Sequence, residues 1–80
     1  MLTVKEKVDV LVGFKNRKII PYLFSWRGRK IKVDEINLVH TSKLEGQTVY
    51  HFSISSEDNF YELAFRVPDL KWVLEQVEEG

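Results

Sequence analysis

Eighty residues with two prolines and no cysteine are expected to form one domain, and 44% apolar with 30% charged side chains is the balance of a folded chain rather than a disordered one. The absence of cysteine excludes a disulfide framework, a thiolate metal site and a cysteine nucleophile. Formal net charge is zero, yet residues 1 to 32 hold nine Lys or Arg against Glu6 and Asp9, whereas residues 33 to 80 hold three against ten Asp or Glu.

Period-two alternation runs through most of the chain and predicts strands. Val8, Val10, Val12 and Phe14 alternate with Lys7, Asp9, Leu11, Gly13 and Lys15. After a polar turn at Asn16, Arg17 and Lys18, a second strand places Ile20, Tyr22, Phe24 and Trp26 on the core face and Ile19, Pro21, Leu23 and Ser25 outward. This register sets Val12 opposite Tyr22, Val10 opposite Phe24 and Leu11 opposite Leu23. Pro21 cannot donate to a ladder, so its strand should lie at an edge or a bulge there.

Arg27-Gly28-Arg29 is the next turn, with glycine where a tight hairpin needs a positive φ. Ile31 and Val33 continue the apolar face, which resumes at Ile36 and Leu38 after a step of three, so Asp34-Glu35 reads as a β-bulge in one long strand. A turn at Ser42 to Gln47 leads to a strand with Tyr50, Phe52 and Ile54 inward. Ser56 to Asn59 turn the chain into a strand with Tyr61, Leu63, Phe65 and Val67 inward.

The carboxy-terminal segment has two readings. Leu70, Val73, Leu74 and Val77 fit one face of a short helix with Asp69 as N-cap. Alternatively Pro68-Asp69 is a turn before a strand with Trp72 and Leu74 on one face and a bulge before Val77. The strand is favoured, and the expected fold is mainly β: an antiparallel meander of five or six strands curling into a small open barrel.

The stretch Tyr22-Leu23-Phe24-Ser25-Trp26-Arg27-Gly28-Arg29-Lys30-Ile31-Lys32-Val33 resembles a family of small uncharacterised bacterial β domains with the pattern F-x-W-R-G-R-x-Y-x-V. Tyr61-Glu62-Leu63 and Trp72-Val73-Leu74 are similar to its later segments in order and spacing, while Ile31 stands where that pattern has an aromatic. The resemblance implies a compact β domain of the bacterial cytoplasm and assigns no activity.

Chemistry-bearing residues are sparse. His40 and His51 lack metal-ligand spacing, and His51 is expected to face solvent; no serine sits in a nucleophile elbow, and no Gly-rich loop cradles phosphate. Neither a membrane span nor a signal peptide is expected, because the longest apolar stretch, Val10 to Phe14, is short and Lys5, Glu6, Lys7 and Asp9 break the amino-terminal segment. The expectation is therefore a cytoplasmic, non-catalytic module without a cofactor or metal. Outward Leu11, Ile19, Pro21 and Leu23 suggest a contact with another protein or a second copy of the chain in a homodimer. The alternative partner is nucleic acid, held weakly and without sequence preference by Lys7, Arg27, Arg29, Lys30 and Lys32.

Overall fold

Alternating apolar side chains give a one-sided strand, and a sheet made of such strands must bend to bury its apolar face. The computed structural model, which describes residues 2–80, solves this with β1 (Leu2–Lys15), β2 (Lys18–Trp26), β3 (Arg29–Lys32), β4 (Glu35–Leu44), β5 (Gln47–Ser56), β6 (Asn59–Arg66) and β7 (Lys71–Glu79). All neighbours are antiparallel, in the order β3-β2-β1-β7-β6-β5-β4. The described residues contain no helix, hence none long and apolar enough to cross a membrane.

The strand count corrects the expected five or six to seven, and the reason lies at Val33-Asp34. What reads as a bulge is a change of neighbour. The Val33 N–H donates to the Tyr22 carbonyl at 2.9 Å, and the next N–H, on Asp34, donates to the Ser55 carbonyl at 3.0 Å. The chain thus passes from β2 to β5 in one step. Asp34 Oδ2 accepts the Glu57 N–H at 2.9 Å and holds the corner. β3 and β4 become the two edges of the sheet, joined by the chain and by no ladder, so the sheet is not closed into a barrel.

A second corner lies in β1. Its first part, Leu2 to Val8, pairs with β7, and its second, Asp9 to Lys15, pairs with β2. A bulge between Thr3 and Glu6, with Lys5 at φ 53°, adds twist to the first part. A strand that changes partners in this way folds the sheet across itself. Phe24, Phe52, Ile54, Leu63 and Leu74 are almost fully enclosed as a result. Each such side chain stabilises the fold by roughly 1.5–3 kcal/mol.

Val10 pairs with Phe24 and Leu11 with Leu23, as the alternation predicts. The register then shifts, and Val12 lies opposite Pro21 rather than Tyr22. The extra residue reverses parity along the start of β2, so Pro21 is buried, Ile19 packs against the core and Tyr22 is exposed. Both Pro21 and Tyr22 therefore take the opposite orientation to the one expected. The Tyr22 ring covers Gly13, where a Cβ would lie 2.6 Å from Tyr22 Cε2. Val67 lies in the turn after β6 and is exposed, not inward.

The carboxy-terminal segment is a strand, with Trp72, Leu74 and Val77 buried and an irregularity opposite Glu62/Leu63. Four hairpins turn in two residues: Asn16-Arg17, Arg27-Gly28, Glu45-Gly46 and Glu57-Asp58, all with positive φ. That pair of signs belongs to the turn whose twist matches antiparallel strands.

Candidate interaction surface

The apolar cluster expected on the first hairpin is dispersed by the β2 bulge. Leu11 is 64% exposed and faces half-buried Leu23 across the ladder, but Ile19 and Pro21 turn to the core side. The outer face of this hairpin keeps two of the four side chains.

The basic residues are divided as well. Arg27 is bound within the molecule: its Nη2 donates to Glu6 Oε2 at 2.7 Å and its Nε to Glu6 Oε1 at 3.3 Å. Trp26 Nε1–H donates to the same carboxylate at 3.0 Å, and the Arg27 guanidinium lies 4.9 Å from the Trp26 ring centroid. The Arg27 hydrogen bond, then that of Trp26, holds the Glu6 carboxyl below its ordinary range, and Glu6 in turn raises Arg27. Half-buried Trp26 is therefore a fixed part of the core rim rather than a free stacking platform. On β3, Arg29 lies opposite Trp26 and shares a face with buried Ile31, whereas Lys30 and Lys32 point to the other side, opposite Ser25 and Leu23. Lys7, opposite Val73, stands on β1 beside β7.

The most exposed strand is β4. It pairs with β5 along its whole length, from Glu35↔Ser55 to Leu44↔Gln47, and among the described residues its other edge pairs with no strand. Every residue of β4 except Ile36 is exposed, including Leu38 (57%), Val39 (49%) and Leu44 (49%). No charge interrupts Ile36 to Ser42. Folded proteins usually blunt such edges with charges, prolines, bulges or short length. Here the bulge between Ile36 and Leu38 affects the beginning of the strand, and Ser42 to Leu44 pair regularly beyond it.

Side chains on the outer face strengthen the β4–β5 pair. His40 and His51 lie opposite each other with ring centroids 4.6 Å apart and planes at 8°, and Ser42 Oγ is 2.7 Å from His51 Nε2. His51 is largely covered, contrary to the solvent-facing expectation, although it does lie on the face opposite Tyr50 and Phe52. Glu62 Oε2 is 3.7 Å from His51 Nδ1, beyond hydrogen-bond distance, and Nδ1 has no hydrogen-bond partner among the described residues. This row is a cross-strand brace.

The β4 edge is missed by sequence reasoning because Leu38 and Val39 look like core residues. The uncharged, β-favouring run Ile36-Asn37-Leu38-Val39-His40-Thr41-Ser42 is the signal that could identify it. Comparison with protein-family models, curated proteins and solved structures finds no match to the chain.

Proposed function

We propose that the protein is a non-catalytic interaction domain that pairs through the free edge of β4, with a second copy of the chain as partner. The observation that carries this reading is the ten-residue edge strand, with its open backbone, the uncharged run Ile36 to Ser42 and exposed Leu38 and Leu44. Adding a strand supplies the unpaired N–H and C=O groups with ladder partners.

Self-pairing suits the sequence of β4. Leu38, His40, Ser42 and Leu44 share the outer face, as their partners on β5 show. An antiparallel pair with its two-fold axis at Thr41 sets Leu38 opposite Leu44 of the second copy and His40 opposite Ser42. Both leucines then gain an apolar cross-strand neighbour, and no like charges meet. One added strand is a small interface, below the ~1,200 Å² of standard stable complexes, so association is weak and concentration-dependent.

Sedimentation equilibrium at rising protein concentration, beside Thr41→Lys, tests the reading. The substitution puts two like charges against each other at the two-fold axis. The wild-type chain should shift from monomer to dimer, and the variant should stay monomeric with an unchanged circular-dichroism spectrum. Two monomeric proteins at millimolar concentration, or equal dimerisation of both, would refute it.

A further inference from the structure

β3 pairs only with Leu23 to Trp26 of β2, and an apolar cavity lies between the uncovered start of β2 and the start of β4. Ile19 and Ile20 form one wall, Ile36 and Val39 the other, and Tyr50 and Phe52 of β5 complete it. Its volume is about 560 Å³. That lies within the ~300–1,000 Å³ of ordinary small-molecule sites. Among the described residues, the charged ones that line it are Arg17 and Lys18, at the Asn16-Arg17 hairpin end. Among the described residues no carboxylate contributes to the lining, and neither cation is engaged in a side-chain ion pair or hydrogen bond.

We propose that this seam binds an anionic amphiphile, specifically a free medium-chain fatty acid, with its alkyl chain between β2 and β4 and its carboxylate at Arg17 and Lys18. The chemistry divides as the lining does. Aliphatic and aromatic walls remove the chain from water, and two cations at one end fix its direction. A neutral ligand would leave those cations unused, and a multiply charged ligand would have to put charge against isoleucine and phenylalanine. Arg17 and Lys18 precede Ile19 and Ile20 at the hairpin end of the lining, so a single chain with its carboxylate at that end suits the arrangement. The seam borders the same free edge of β4 that the pairing proposal uses, since Val39 belongs to both.

The probe is a dansyl-labelled undecanoic acid, displaced by decanoate or by decanol, all below their aggregation concentrations. Saturable one-to-one binding is expected, with decanoate displacing the probe at least tenfold more effectively than decanol. Arg17→Glu/Lys18→Glu should weaken decanoate at least tenfold and leave decanol unchanged. Val39→Trp should block both ligands in a protein with an unchanged circular-dichroism spectrum. Decanoate binding is read at micromolar protein, where the weak pairing proposed above leaves the chain monomeric, so failure of pairing and failure of the seam are separable. Absence of saturable binding, equal affinity for decanoate and decanol, full decanoate binding by the double variant, or binding only to anionic phospholipid vesicles would each overturn the assignment.

Discussion

Phe24 of β2 meets Tyr61 of β6 edge to face, with ring centroids 5.3 Å apart and planes at 74°, although two strands separate them in the sheet. Only a sheet folded across itself allows that contact. The bend comes from β1, which exchanges β7 for β2 as its neighbour after Val8, and from the corner at Val33-Asp34.

Phe24→Ala should therefore cost about 3–5 kcal/mol, because a fully enclosed ring leaves a cavity shared by both halves of the sheet. Urea denaturation followed by far-UV circular dichroism measures it. A loss below ~1 kcal/mol would mean that the two halves do not share one core.

Orientation at the β2 bulge gives a sharper contrast. Pro21 is buried and Leu11 is exposed. Pro21→Asp should destabilise by several kcal/mol, since an unpaired carboxylate would enter the core, or should prevent folding. Leu11→Asp should cost no more than ~1 kcal/mol, the span of strand propensities. Similar melting temperatures for the two variants would restore the outward placement of Pro21.

Much of the meander is legible in the sequence, and its failures share a physical cause. Alternation works where large apolar side chains recur on one face only, as Tyr61, Leu63 and Phe65 do, and it places the Val10↔Phe24 and Leu11↔Leu23 pairs. From Ile19 to Phe24 all six residues are apolar on both faces, so a one-residue slip leaves no trace in the pattern. At Asp34-Glu35 a bulge and a change of neighbour interrupt the period alike. Only the pairing of Val33 with Tyr22 and of Asp34 with Ser55 tells them apart. The β4 edge is hidden because apolar composition suggests burial, whereas strand order determines which residues the sheet leaves uncovered.

Turn chemistry offers a gain as well as a loss. Glu57 and Asp58 hold φ of 47° and 67° without glycine, and Gly28 holds 77° with nothing near a would-be Cβ. Asp58→Gly should raise stability by up to ~1 kcal/mol by relieving the left-handed conformation. Gly28→Val should lower it by more than ~1 kcal/mol from backbone strain, while Lys30→Val is nearly neutral. Thermal melts of the three variants decide this, and equal effects at positions 28 and 30 would contradict the hairpin geometry.

Glu6 should leave a mark on the acid side of the stability profile. Its folded pKa is lowered, chiefly by Arg27 and then by Trp26. A depressed carboxylate contributes stability above its unfolded pKa and loses it as pH falls through the folded value. Glu6→Gln should thus be less stable than wild type near neutrality, by a small amount suited to an exposed pair, with the gap closing as the carboxylate protonates. Salt should narrow the same gap at neutral pH. A difference that persists unchanged at acidic pH would assign the effect to something other than the charge.

The pairing of two β4 edges is tested most directly by amide hydrogen exchange read residue by residue at several protein concentrations. The amides of residues 38–44 that face away from β5 should exchange more slowly as concentration rises, while those in β6 and β7 stay constant, and Thr41→Lys should abolish the dependence. Exchange in β4 that is independent of concentration up to millimolar protein, with or without the substitution, would contradict it.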